Sequence, residues 1–152
     1  MASIILLLAL IVPIWSSVAS AEDMPVGTIK TIKGAVYLER QGRSFTPSEG
    51  DKIFQKDLLK TGRDGAIGVT FKDNTVLSLG SNTKVVIKEF LFSPAEGKLS
   101  IVTRLVKGTV AYLTGMIAKI SPEAVRFETP VGNAGIRGTK FVVIVEGNDS
   151  DS

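Results

Sequence analysis

The sequence contains no cysteine and no histidine, and each absence removes a class of chemistry. Without cysteine the chain cannot form a disulfide, use a thiol nucleophile or carry the acylated cysteine of a bacterial lipoprotein. Without either residue, zinc and copper sites of the usual kind cannot be built, nor can catalytic dyads or triads that use imidazole. We therefore expect a protein that is not an enzyme and that holds no metal and no cofactor.

Clustered positive charge and aromatic side chains are also scarce. The net charge is +3, and the basic residues are scattered singly from Lys30 to Lys140. This pattern indicates solvated strand positions and gives no sign of a nucleic-acid interface. Trp15 lies in the leader, which leaves Tyr37, Tyr112 and a few phenylalanines for the rest of the chain. A cell-wall or glycan binder, which needs an aromatic-lined groove, is therefore the weaker alternative function.

The first 21 residues are typical of an export signal. A continuous apolar run from Ile4 to Val12 is interrupted by Pro13, and Ala19-Ser20-Ala21 forms a cleavage site before Glu22. An uncleaved anchor is the alternative, but the run is shorter than the roughly 20 apolar residues that span a bilayer, and Pro13 interrupts it. We predict a signal peptide at 1–21, one domain at 22–147 and a disordered polar tail at 148–152.

From Val26 onward the apolar residues recur with a period of two, as in β-strands. Asp73-Asn74 lies between two such runs and predicts a two-residue hairpin. Gly97–Val106 and Gly108–Leu113 predict two further strands paired around Lys107-Gly108. The sequence therefore predicts an all-β fold of about nine to eleven strands, either a compact two-sheet sandwich or a short β-solenoid or roll.

The segment Gly115–Pro122 breaks the strand pattern and predicts a helical turn or a loop across one end of the sheets. Its apolar side chains, Met116, Ile117 and Ile120, have two interpretations. They plug the end of the core, or they form an exposed patch that docks a partner.

Glycines and apolar residues dominate the segment from Glu128 to Val145. Gly132, Gly135 and Gly138 recur at every third position, which predicts positive φ angles or close backbone contacts. The apolar run Phe141–Val145 predicts a central strand buried on both faces. We expect Gly138→Val to disrupt the fold, because valine does not tolerate the positive φ that this position requires.

Reactive groups in this segment are few. A strand follows the glycines, whereas a phosphate-binding loop is followed by a helix. Arg137 either fixes the loop by donating to backbone carbonyls or points outward to a carboxylate or an extended peptide of a partner. Thr129 and Thr139 are expected to cap the turn. The four turn aspartates, Asp51, Asp57, Asp64 and Asp73, are explained by their turn positions.

The spacing Thr-Pro-x-x-x-x-Gly-Ile-Arg-Gly-Thr-Lys-Phe resembles the closing signature of the FecR domain family, a periplasmic sensor domain of iron-citrate-type signalling. The resemblance extends upstream to about Val26, although the family more often has Asp-Gly where this chain has Asp73-Asn74. It implies a compact all-β domain. The structural or interaction candidates that match the signature are Thr129, Pro130, Gly135, Ile136, Arg137, Gly138, Thr139 and Phe141.

The resemblance implies an exported, non-catalytic module that binds a protein partner in the cell envelope or relays its state. In that family the domain usually follows a membrane helix and a cytoplasmic segment that regulates a sigma factor. With a leader beginning at Met1, we expect neither here and no stable membrane span after cleavage. Resemblance to a Gram-negative family places the expected site of action in the periplasm. The partner and the oligomeric state stay open.

Overall fold

The computed structural model describes residues 24–147, so the predicted signal peptide and polar tail lie outside the described residues. Within this range the chain is all-β, as predicted, and has twelve strands, one more than the expected range. The strands are Gly27–Lys33 (β1), Val36–Arg40 (β2), Arg43–Phe45 (β3), Lys52–Ile53 (β4), Leu58–Thr61 (β5), Ala66–Phe71 (β6), Val76–Leu79 (β7), Lys84–Ser93 (β8), Lys98–Leu113 (β9), Val125–Thr129 (β10), Gly132–Gly135 (β11) and Lys140–Val145 (β12).

The strands form one curled sheet with the shape of a half-barrel. Its main path runs β3-β2-β5-β8-β9-β7-β6-β1-β4, and β10 and β12 pair with β9 off this path. Pairing is antiparallel throughout the described strands except between β10 and β9, which are parallel. Burial alternates along most strands, as in β6, so one face covers the core and the other faces water.

Strand β9 corrects the prediction of two strands paired around Lys107-Gly108. Residues 98–113 form one continuous strand of 16 residues. A two-residue type I′ hairpin needs positive φ at both central residues, and here only Gly108 has it, at 100°. The single glycine therefore bends the strand without reversing it. The part before the bend pairs with β8 and β10, and the part after it pairs with β7 and β12.

The hairpin between β6 and β7 is present but has three loop residues, where two were predicted. Phe71 N donates to Thr75 O at 2.8 Å, and Asn74 has a φ of 68°. The carboxylate of Asp73 is fully buried and accepts from the Thr75 amide and hydroxyl and from Ile117 N at 3.2 Å. This carboxylate thus joins the hairpin to the following helix.

The predicted helical turn is confirmed as the helix α1 (Met116–Ile120), followed by a 3-10 turn at Pro122–Ala124. Ile117 is fully buried and closes the core, whereas Met116 is 40% exposed and Ile120 51% exposed. Ile117 therefore fits the interpretation that this segment plugs the core, and Met116 and Ile120 fit the interpretation of an exposed patch. No helix between residues 24 and 147 is long and apolar enough to cross a membrane.

Candidate functional site

Strand β12 corrects the prediction of a strand buried on both faces. It pairs with β9 alone, and its burial alternates. Phe141, Val143 and Val145 pack against the core, while Val142 is 57% exposed and Ile144 67% exposed. An unbroken apolar run does not reveal whether a second layer covers its outer face, and here no described residue pairs with its outer edge.

The glycine segment before β12 forms a hairpin and a short connection. Strand β11 pairs with β10 across a turn at Pro130, where Thr129 Oγ1 donates to Gly132 O at 2.9 Å. The turn-capping role predicted for Thr129 is thus confirmed. Gly132 and Gly138 have positive φ, and no atom lies within 4 Å of where a Cβ would stand on any of the three predicted glycines. Of the two alternatives predicted, positive φ is therefore confirmed at Gly132 and Gly138, whereas Gly135 has neither a positive φ nor a close backbone contact.

The end of this connection is held by a residue that the sequence analysis did not single out. Thr114 N donates to Thr139 O at 2.9 Å, and the Thr114 hydroxyl lies within hydrogen-bond distance of the carbonyls of Gly138 and Thr139. Thr139 contributes its backbone carbonyl. A threonine directly after a long apolar strand carries no local signal for this contact, because its partners are 24 and 25 residues away.

Ile136 and Arg137 lie side by side with opposite environments. Ile136 is buried, and Arg137 is exposed with no side-chain hydrogen bond or ion pair to another residue in the range 24–147. The backbone bonds of the predicted loop-fixing role are therefore absent among the described residues, and the recognition role stays a prediction. The guanidinium is free to donate to a ligand from the rim of a cleft.

The cleft has a volume of about 730 Å3 and lies between the end of α1 and the β10–β11 hairpin. Its apolar lining includes Ala118, Pro122, Val125 and Ile136, and its polar lining includes Glu123, Arg126, Asn133 and Arg137. The Ser121 hydroxyl donates to the Glu123 carboxylate, and this hydrogen bond lowers the pKa of Glu123. The lining thus holds one acidic and two basic side chains, which leaves the cleft with an excess of one positive charge.

Phe141 of the predicted motif belongs to an aromatic cluster in the core. Its ring stacks on that of Tyr112 with centroids 4.8 Å apart, and Phe127 packs edge-on against both rings. The Tyr112 hydroxyl is buried; Thr75 lies near it, but the two make no hydrogen bond of acceptable geometry. Burial raises the pKa of Tyr112 well above its ordinary value. The cluster is therefore structural packing rather than part of an exposed site.

The turn aspartates occupy separate structural positions. Asp51 accepts from Ser48 N at 2.8 Å, and Asp64 accepts from Ala35 N at 3.3 Å. Asp57 and Asp73 are buried with their own donors. Among residues 24–147, no three acidic side chains converge as metal ligands.

The comparisons with known proteins give one match. The model of the FecR protein family matches residues 57–152, which includes β5 to β12, the cleft and the glycine segment. The similarity noted upstream, from Val26 to the start of that match, lies outside it. No curated protein and no solved structure matches the chain significantly. On the family match, which covers more than half of the sequence, the chain belongs to the FecR protein family.

Proposed function

We propose that this chain is an exported, non-catalytic module of the cell envelope that binds a protein partner and takes part in signal relay. Membership of the FecR family supports a signalling or regulatory role. The observation that carries the binding role is the exposed, unpaired Arg137 at the rim of the cleft. We place its action in the periplasm, reached through the predicted signal peptide.

The chemistry of the cleft favours an extended peptide that carries a carboxylate. Arg137 and Arg126 present planar donor groups that match the two oxygens of a carboxylate. The apolar floor, which includes Val125 and Ile136, accommodates a small apolar side chain next to that charge. The lining contains no aromatic side chain, which weighs against the alternative of a glycan binder.

Arg137→Ala tests this proposal in intact cells that export the tagged protein. The matched control is Arg43→Ala, since Arg43 is also exposed but lies in β3 at the far end of the strand order. After crosslinking, we expect wild type and Arg43→Ala to retain the same envelope protein and Arg137→Ala to lose it. All three should have the same circular dichroism spectrum and melting temperature, because Arg137 is exposed and its side chain makes no hydrogen bond or ion pair within residues 24–147.

Two results would contradict the proposal. Identical partners from wild type and Arg137→Ala would remove Arg137 from the interface. Enrichment with sacculi instead of with a protein would favour the glycan-binding alternative. Fractionation of the same cells checks the periplasmic location.

A further inference from the structure

Within residues 24–147, no strand pairs with the outer edge of β12, which leaves backbone hydrogen-bonding groups of this strand unused in the described range. The bond from Thr114 N to Thr139 O marks a hydrogen-bonded pair between β9 and the start of β12. Because such pairs alternate along an antiparallel ladder, Phe141, Val143 and Val145 direct their backbone groups to β9. The backbone groups of Lys140, Val142 and Ile144 therefore point away from β9, to the open edge.

Apart from Lys140 at its start, this edge lacks the usual protection against pairing. Its register with β9 is continuous, without a bulge, and no proline interrupts it. Two large apolar side chains, Val142 and Ile144, stand on its exposed face. An exposed, regular and apolar edge strand is a template for an additional strand.

The side chains on the exposed face of one copy of β12 are complementary to those of a second copy that runs antiparallel to it. In order they are Lys140, Val142, Ile144 and Glu146, with a cation at one end and an anion at the other. An antiparallel copy of this strand places Val142 opposite Ile144 of the second copy. The same alignment places Lys140 opposite Glu146 of the second copy.

We infer that a second copy of this chain adds to β12, edge to edge, about a twofold axis that passes midway between the Val143 residues of the two copies. The axis stands perpendicular to the sheet, so the exposed faces of both copies lie on the same side and form one contact patch. In this register the outward backbone groups of Val142 form hydrogen bonds with those of Ile144 of the second copy. The hydrogen bonds of β12 to β9 are kept at the same time.

Other registers fit less well. A shift by one residue brings outward backbone groups against groups already bonded to β9. A shift by two residues in one direction places Lys140 opposite Ile144 of the second copy, and a shift in the other direction places Glu146 opposite Val142. Each leaves a charge beside an apolar side chain and removes the ion pairs. Charge and backbone pattern thus select one register.

Cysteine pairing tests the register directly, because the native chain has no cysteine. Directly opposed residues in a hydrogen-bonded pair have Cα atoms about 5.5 Å apart, within the range of roughly 4.4–6.8 Å that a disulfide accepts. We expect a mixture of Val142→Cys and Ile144→Cys proteins, expressed from the complete sequence, to form a disulfide-linked dimer on mild oxidation. Either variant alone should form far less, since its two cysteines are diagonal neighbours about 7–8 Å apart.

Charge reversal provides an independent test in solution by sedimentation equilibrium. Lys140→Glu places two carboxylates opposite each other at both ends of the interface and should weaken dimerisation roughly five-fold. The double variant Lys140→Glu, Glu146→Lys restores the opposite charges and should return the dissociation constant to that of the wild type. Both side chains are exposed, so the melting temperature serves as a folding control.

Three outcomes would overturn the inference. One is equal crosslinking in mixed and single-variant samples, and another is a wild-type chain that stays monomeric at every concentration reached. The third concerns Val142→Cys and Ile144→Cys variants made together in intact cells, if they crosslink to a different protein and never to each other. The edge is separate from the cleft, so Arg137→Ala should leave cysteine crosslinking unchanged whether or not the proposed function holds.

Discussion

At the scale of single residues, Asp57 shows how a turn carboxylate becomes part of the core. Its side chain is 1% exposed and accepts from Arg40 Nε and Nη2, both at 2.7 Å, and from Phe54 N at 2.8 Å. The hydrogen bond to Asp57 raises the pKa of Arg40, so the guanidinium stays charged. The Arg40 group also lies 4.4 Å from the centroid of the Phe54 ring.

We expect Asp57→Ala to lower the free energy of unfolding by about 2–3 kcal/mol, because Phe54 N and Arg40 lose a charged acceptor that water replaces poorly. The control is Glu96→Ala, which removes the exposed ion pair with Lys98 and should change stability by less than about 0.5 kcal/mol. Urea unfolding measures both. Equal changes in the free energy of unfolding for the two variants would show that burial does not increase the contribution of the Asp57 ion pair to stability.

At the scale of elements, the bend in β9 determines how the two parts of the sheet meet. A Cβ added to Gly108 would overlap Thr83 Oγ1 and lie 2.5 Å from Thr83 Cα. The same Thr83 hydroxyl accepts from Thr109 N at 3.0 Å. Glycine at this position therefore permits both the backbone angle and the contact with the loop before β8.

Gly108→Ala and Gly138→Ala form a matched pair, because φ is 100° at Gly108 and 113° at Gly138 but only Gly108 has close neighbours. We expect Gly138→Ala to cost about 1–3 kcal/mol from backbone strain alone. Gly108→Ala should cost roughly 1–3 kcal/mol more, from the overlap with Thr83. Thermal unfolding of the two proteins gives the difference.

Equal costs for the two alanine variants would argue against the bend as a packing contact. The expected effect of Gly138→Val is correspondingly one of strain without collision, and a Gly138→Val protein that melts like the wild type would contradict it. The physical reason is the positive φ that the sequence predicted for Gly138, since the space around this glycine is open.

At the scale of the whole molecule, stability should fall from β9 toward the open edges. Strand β9 pairs with β8, β7, β10 and β12, whereas β11 pairs with β10 alone and all four of its residues are exposed. Edge segments with few buried contacts open locally at low free energy. We therefore expect local opening to need the least free energy at the edges and the cleft, where we propose that partners bind.

Hydrogen exchange at low protein concentration should show this gradient. We expect the amides of β9 that bond to β8 to exchange slowest, near the rate of global unfolding, and those of β11 to exchange fastest. Within β12, Phe141 and Val143 should be better protected than Val142 and Ile144, whose amides face the open edge. Uniform protection across these strands would contradict the arrangement.

The sequence alone was sufficient where structure depends on near neighbours. The two-residue period identified the all-β class, since alternation reports which face of a strand is wet. The Asp73-Asn74 turn and the cap at Thr129 followed from local backbone preferences. The helical turn at Met116–Ile120 was one of two conformations, helical turn or loop, that the sequence left open. Exposure of Arg137 was one of two open interpretations, because the flanking glycines do not determine the direction of its guanidinium group.

Tertiary structure decided the features that depend on what lies opposite. The local sequence predicted a reversal at Gly108, whereas the strand continues through it and Gly108 packs against Thr83, 25 residues earlier. Whether Phe141–Val145 is buried on one face or two depends on whether a second layer covers the outer face. The sequence of the strand itself does not contain that information. The cleft, the hydrogen bonds of Thr114 to Gly138 and Thr139, and the open edge of β12 likewise depend on residues far apart in the sequence. Local sequence determines backbone angles and the alternation of side chains, but distant residues supply the neighbours that cover a face or leave it exposed.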